Sequence, residues 1–271
     1  MPAADPVAVE AVRGFAAVHP ALRLAPVAAV IPALNEEASI ASVLDAIPAQ
    51  WCGLDVDTIV VDDGSRDATS AVAAAHGALV ARHATNRGQG AAFATAYALA
   101  REHGARYIVT LDADGQWDPA DAPGVLAPVV AGEADLVLGS RVLGRAETSD
   151  NVRAAGVRVF SGLVRVLTGV RVSDTSSGLR AMVAELTARV TLDQPQYQSS
   201  ELLLGAIAHG YRVAERPVTM HARTAGESAK GTNLVYGLSY ARVILRTWWR
   251  ERRAAARAPR AQPIPAERLD G

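Results

Sequence analysis

Residues Tyr107 to Pro119 read YIVTLDADGQWDP, an apolar run that stops at a cluster of carboxylates. Its first five residues have the β-branched and aromatic character of a buried strand. Asp112, Asp114 and Asp118, with Gln116 between them, stand just past the strand's end. In an open α/β sheet that is the edge where ligands bind. Side chains at i and i+2 of an extended segment point the same way, so Asp112, Asp114 and Gln116 are expected to converge. Two carboxylates and an amide oxygen are hard donors suited to Mg2+ or Mn2+, above all when a substrate diphosphate completes the shell. The plainer reading is a set of turn-forming aspartates, and D-x-D alone is a weak signal.

The chain on either side supplies the sheet. VAAVIPAL from Val27, DTIVVDD from Asp57, ALVARH from Ala78, RYIVTLD from Arg106 and ADLVLGSR from Ala134 are short strand patterns. Between them lie helical segments in which Ile40, Val43, Leu44 and Ile47 keep a helical spacing and Gly77 and Gly104 supply C-terminal stops. This alternation predicts an α/β fold with a mostly parallel central sheet and helices on both faces. Beyond Arg141 it loosens into two longer helices, VRAAGVRVFSGLVRVLTG and SSELLLGAIAHG, and a late strand, YRVAERPV.

Composition narrows the function classes. Half of the 271 residues are hydrophobic and the formal net charge is -1, so nucleic acid is not expected as a partner. The single cysteine, Cys52, excludes an internal disulfide and a thiolate metal cluster. Asp5 and Glu10 spoil a secretory leader, and no apolar window spans a bilayer, so a cytoplasmic protein is expected. The tail differs. Leu234, Leu238, Ala241, Leu245 and Trp248 form one stripe and Arg242, Arg246, Arg250 and Arg253 another, either a helix packed on the domain or one lying on the inner face of an anionic membrane. A protein partner is the third reading. The Ala/Pro/Arg-rich end is expected to be disordered.

Other motifs gather at the same edge. The first strand runs into Asn35, Glu36 and Glu37, and the second into Asp62 and Asp63, which suit a nucleobase or ribose, or else an Asx turn with Ser65 or Asp67 capping a helix. NRGQG at Asn86 to Gly90 is neither a G-x-G-x-x-G fingerprint nor a P-loop, so hydride-transfer and P-loop chemistry are not expected. Its glycines allow close backbone approach, and Arg87 is a candidate phosphate contact. Arg180, Arg223 and Lys230 are cations beside small or hydroxyl residues, as phosphate oxygens require. The six histidines show no ligand spacing.

VIPALNEE, VVDDGSRD, NRGQGAA, LDADGQWDP, LVLGSR and DTSSGLR, in this order, resemble an inverting family 2 glycosyltransferase with the GT-A fold. The segment from Gln198 to Ser228 makes the chain look most like the polyprenyl-phosphate and dolichyl-phosphate sugar transferases. The resemblance covers Pro26 to Lys230. It implies residues 1–25 as an N-terminal extension, 26–230 as the transferase domain, 231–253 as a basic amphipathic helix and 254–271 as a tail.

What the resemblance implies for the site is specific. Asp112, Asp114 and Gln116 would hold Mg2+ or Mn2+ against the diphosphate of a UDP- or GDP-linked sugar. Pro32, Asn35, Glu36 and Asp63, with Asp62 close by, would surround the nucleoside. Arg141, Arg180, Arg223, Ser228 and Lys230 would hold donor and acceptor phosphates, and Glu201 matches an acidic position beside the pocket. A lipid monophosphate acceptor, met at the membrane with a membrane-protein partner as one option, needs no strong base. A saccharide or small-molecule hydroxyl would need one, with Glu201 or an aspartate near Asp174 available. A nucleotidyltransferase and a non-catalytic nucleotide-sugar binding module are the remaining alternatives. Leu34 where an aromatic residue often packs on the base, Gln89 in place of a lysine, and Lys230 one residue beyond the usual register depart from the family pattern.

Overall fold

A computed structural model describes residues 5–147, 151–222 and 233–257, with side chains described from 156 and 240 in the helices that open the last two spans. The chain begins with α1 (Pro6–Val18), followed by β1 (Val27–Ala33), α2 (Ile40–Asp45), β2 (Gln50–Trp51), β3 (Leu54–Asp62), α3 (Thr69–Ala75) and β4 (Leu79–Arg82). Next come α4 (Gln89–Glu102), β5 (Tyr107–Thr110), α5 (Ala122–Val130), β6 (Leu136–Ala146) and α6 (Asn151–Thr168). The last elements are β7 (Arg180–Val183), α7 (Leu186–Arg189), α8 (Gln198–Ala208), β8 (Val213–Met220) and α9 (Asn233–Ala255).

The strands form an eight-stranded sheet in the order β2-β3-β1-β5-β7-β6-β8, with β4 also pairing β3. β1 is parallel to β3 and to β5, so the three end at one edge. All seven residues of β1 and all four of β5 are buried, as expected of strands covered on both faces. Pro32 is tolerated in this central strand because pairing with β5 ends at Val30 opposite Thr110. The parallel half of the sheet follows the sequence pattern closely.

Two elements depart from it. β7 runs antiparallel between β5 and β6, where the sequence showed only a polar motif ending in Arg180. Four residues opening with arginine carry too little pattern to read as a strand, yet all four are buried. The N-terminal extension contains α1, begun by Asp5, whose side chain accepts from Val7 N at 3.1 Å, and by Pro6 in the first turn. Its Phe15 is 3% exposed and packs against His103.

α9 is a docked helix. Tyr240, Val243, Ile244, Thr247 and Glu251 are buried, while Leu245 is 43% exposed. The buried face is therefore rotated from the expected stripe; the side chains of Leu234 and Leu238 lie outside those described. Two of the polar residues on this face have partners: the Tyr240 hydroxyl meets Thr175 Oγ1 at 3.1 Å and also Ser200 Oγ, and Glu251 Oε1 accepts from Arg250 Nε at 2.9 Å. Arg250 turns inward, unlike Arg242, Arg246 and Arg253, which are exposed.

Candidate active site

The loops after β1 and β3 are stitched to each other. Asn35, at φ 55°, donates its N–H to Ser65 Oγ at 2.9 Å, and its own Oδ1 accepts from Arg66 N at 2.9 Å. Glu36 N–H bonds Thr69 Oγ1 at 2.8 Å, and Glu37 Oε2 accepts from Ala68 N at 2.8 Å. Asp67 accepts from Thr69 N at 3.0 Å, at the start of α3. Asp62 is wholly buried and accepts from Ser65 N at 2.7 Å and from the Ser70 hydroxyl. The Asx-turn and capping reading thus describes Asp62 and Asp67 well. The Glu36 carboxylate is bonded by Ser39 Oγ at 2.6 Å.

Asp63 organises the next loop. Its Oδ1 faces His83 Nδ1 at 2.7 Å and accepts from Arg87 N at 2.9 Å, and its Oδ2 accepts from Gly88 N at 2.7 Å. His83 is fully buried, with Nε2 2.9 Å from Thr95 Oγ1. Ligand spacing gave no sign of this histidine, because its partners come from other elements. The glycines of NRGQG do permit a close approach, but to the protein's own chain. A Cβ at position 88 would lie 2.5 Å from Pro195 Cβ, and one at position 90 would collide with Gln194 O. Arg87 Nε pairs with Asp5 Oδ2 at 2.7 Å, which ties the loop to α1.

Asp112 follows directly on the end of β5. Its Oδ1 accepts from Gln89 Nε2 and its Oδ2 from Trp117 Nε1, each at 3.0 Å. Gln89, which replaces the familiar lysine, thus orients the first carboxylate of D-x-D. A Cβ at Gly178 would collide with Asp112 Oδ2 and Trp117 Nε1, so any larger residue there would displace this carboxylate or the ring that holds it. Asp114 is 6% exposed and accepts from Gln116 N at 3.1 Å. Residues 113 and 114 form a turn, with Gly115 at φ 71°, so strand alternation does not set their directions. Asp118 caps the turn that follows, accepting from Ala120 N at 2.8 Å.

These residues fit a divalent ion only with help. Among the described residues no group of three or more His, Cys, Asp or Glu side chains is placed to hold a metal. Asp112, Asp114 and Gln116 give two carboxylates and an amide, so a bound diphosphate and water must supply the other oxygens.

Cations border the same edge. Arg141 Nε lies 2.8 Å from Asp174 Oδ2, its Nη2 donates to Asp174 Oδ1 at 3.0 Å, and the guanidinium sits 5.7 Å from the Trp117 ring centre. Arg180 is wholly buried 5.2 Å from the Phe93 ring centre, and none of its three nitrogens has a hydrogen-bond partner among the described residues. Beside it Tyr97 is also buried, and desolvation pushes its phenol up to about 12, against the pull of Arg180. Arg223, Ser228 and Lys230 lie outside the described residues. The chain leads towards them from the site, since His221 N–H bonds Gln116 O at 2.8 Å.

Glu201 does not face open space. It is wholly buried on α8, with Oε2 accepting from Asp193 N and Gln194 N, each at 3.0 Å, and Oε1 from Arg250 Nη1 at 3.1 Å. Burial pushes its carboxyl up, against the Gln194 bond and the Arg250 charge.

Comparison with known proteins identifies the family. Residues 28–189 match the model of glycosyl transferase family 2. A dolichyl-phosphate hexose transferase of Haloferax volcanii is 34% identical over 201 residues, covering 74% of this chain and 85% of that protein. A UDP-N-acetylglucosamine–dolichyl-phosphate N-acetylglucosaminyltransferase of Methanococcus voltae is 31% identical over 232 residues, covering 77% and 90%. Among solved structures, glucosyl-3-phosphoglycerate synthase of Mycobacterium tuberculosis with Mn2+, UDP and glucosyl-3-phosphoglycerate is alike in fold, with a TM-score of 0.64 at 24% identity over 89% of this chain and 83% of that one. With its motifs lined along one sheet edge and this family's model matching more than half of it, the chain belongs to glycosyl transferase family 2 and is a glycosyltransferase of GT-A fold.

Proposed function

We propose that the protein transfers a sugar, with inversion, from a UDP- or GDP-linked donor to a polyprenyl phosphate and releases the nucleoside diphosphate. The observation that carries the choice of acceptor is the state of the two candidate bases. Asp174 is wholly buried and paired with Arg141, and Glu201 is wholly buried and paired with Arg250. A hydroxyl acceptor needs a base within reach of its proton. A phosphate acceptor is already anionic, and the named relatives that act on dolichyl phosphate point the same way.

In this mechanism the nucleoside lies across the ends of β1 and β3, near Pro32, Asn35 and Glu36, with the Asp63-held loop shaping one wall. The diphosphate reaches Asp112, Asp114 and Gln116, which would hold Mg2+ or Mn2+. That ion would supply positive charge to the departing diphosphate. Gln89 and Trp117 keep the Asp112 carboxylate oriented. An acceptor phosphate oxygen forms a bond to the anomeric carbon as the bond from that carbon to the diphosphate oxygen breaks, and the electron pair leaves with the diphosphate. Arg141, and Arg223, Ser228 and Lys230 beyond it, would bind the phosphate groups.

Among the described residues no helix is long and apolar enough to cross a membrane. With a lipid acceptor the protein would work at the cytoplasmic face of a membrane. The reading is tested with purified protein, UDP- and GDP-sugars, Mn2+ or Mg2+, and polyprenyl phosphate, by following nucleoside diphosphate and glycosylated lipid phosphate. Transfer only to a saccharide or to phosphoglyceric acid would overturn the lipid acceptor. Release of pyrophosphate would mark a nucleotidyltransferase, and donor binding without turnover on any acceptor a binding module.

A further inference from the structure

α6 and α9 lie side by side and run in the same direction. The Phe160 ring packs 4.2 Å from that of Tyr240, and further along Trp248 Nε1 donates to Leu167 O at 3.0 Å. On α6 the buried residues are Val157, Ser161 and Val164, and opposite them Val159 is 66% and Val166 83% exposed. On α9 the residues opposite the buried face include Leu245 at 43% and Trp249 at 54% exposed. Four large apolar side chains at this exposure thus stand on the outward faces of two adjoining helices.

The charges around them have one sign. Arg158 and Arg165 flank the two valines, and Arg242, Arg246 and Arg253 flank the leucine and tryptophan, all exposed. From residue 156 to residue 171 there is no acidic residue, and from 240 to 257 the one carboxylate, Glu251, is 1% exposed. The Arg253 guanidinium lies 5.5 Å from the Trp249 ring centre, which keeps cation and ring at one level. At the far end of α8 from Glu201, a cleft of about 500 Å3 opens between the ends of these helices, lined by Leu167, Leu204, Ile207 and Trp248 and by the polar Thr168, His209 and Arg252.

We infer that the outward faces of α6 and α9 together form a docking surface for an anionic lipid bilayer. Single apolar side chains spaced among arginines match a helix lying in the headgroup layer, whereas the centre of a protein interface is depleted of charge. Valines, leucine and tryptophan enter the boundary between headgroups and chains, arginines meet the phosphates, and the cleft gives room to a lipid chain. The inference rests on the lipid-acceptor reading for its purpose but not for its observations. It places half of the surface on α6, which lies well apart from α9 in the chain.

Flotation of the full chain with vesicles tests it. Binding is expected to vesicles of phosphatidylcholine with phosphatidylglycerol, hardly at all to phosphatidylcholine alone, and to weaken as salt rises. Val159→Glu with Val166→Glu on α6, and separately Trp249→Glu on α9, are each expected to weaken anionic-vesicle binding by at least about tenfold. Arg158→Glu with Arg165→Glu should do the same at an unchanged melting temperature. Wild-type protein that floats with neither vesicle, leaving a protein as the cover of this face, overturns the inference. So does a folded α6 pair variant that floats like wild type. Nucleoside diphosphate release with polyprenyl phosphate in detergent is read separately: flotation without that turnover supports the surface and removes only the acceptor.

Discussion

Arg250 on α9 and Glu201 on α8 form an ion pair, with Arg250 Nη1 3.1 Å from Glu201 Oε1. The same guanidinium donates through Nη2 to Thr191 O at 2.6 Å. Of the readings open to this helix, packing on the domain is the one observed, through a buried carboxylate that family resemblance would place beside the chemistry. Arg250→Met leaves Glu201 buried and without its cation. That change is expected to cost about 3 kcal/mol in chemical denaturation. A loss within experimental error would show that the pair does not hold the helix.

Glu201→Gln separates structure from catalysis. If Glu201 props residues 193 and 194, the variant keeps kcat within about threefold of wild type, whereas removal of a general base costs about a hundredfold or more. The pH dependence of stability gives a second readout. Burial raises the Glu201 carboxyl, so the folded chain holds that proton more tightly than the unfolded one. Its contribution is full below the ordinary glutamate value and is lost as pH rises through the raised one. Wild type should thus lose stability relative to Glu201→Gln across that interval. Parallel stability curves for the two proteins would contradict the placement.

Asp114→Ala is expected to lower turnover by about a hundredfold or more while circular dichroism stays unchanged. A chelator should lower wild-type activity, and Mn2+ or Mg2+ should restore it. Asp112→Asn keeps one side-chain oxygen for the ion and should lose less, although its amide NH2 can no longer accept from Gln89 or Trp117. Near-normal turnover of folded Asp114→Ala would remove the metal assignment.

Asp63→Ala reaches further than the donor. Three donors, His83, Arg87 N and Gly88 N, point at its carboxylate in a buried setting. Leaving them unmatched is expected to destabilise the fold by about 3 kcal/mol as well as raise the donor KM. An increase in KM alone, with unchanged stability, would mean that the carboxylate faces the donor instead.

Arg180→Met is expected to raise the melting temperature by at least about 2 °C, because a buried cation without a hydrogen-bonded partner gives way to a side chain of similar size. Transfer should slow at the same time if the charge serves the departing diphosphate. A lower melting temperature would show that the cation holds the fold together.

Much of this architecture is legible in the sequence because β1, β5 and the last four residues of β3 are buried and end in turns, which leaves apolar runs with polar stops. The carboxylate edge follows from their parallel register. The roles of its members do not, since Asp63, Glu201 and Asp174 take their partners from residues distant in the chain. His83, Trp117 and Gln89 gain meaning only when tertiary contacts bring them to a carboxylate. The face of α9 was misjudged for a related reason: Tyr240, Thr247 and Glu251 count as polar in a periodicity but are buried.

The glycine at position 90 has a consequence for how this site tolerates change. A single methyl group there has nowhere to go, because the carbonyl of Gln194 already fills the space. Gln89, the neighbouring residue, steadies Asp112, while Glu201 and Arg250 fix the stretch to which Gln194 belongs. From the surface helix to the carboxylate, the parts are stacked without slack, like spacers cut to one gauge. A side chain at position 90 is therefore expected to shift Gln89, and through it the Asp112 carboxylate.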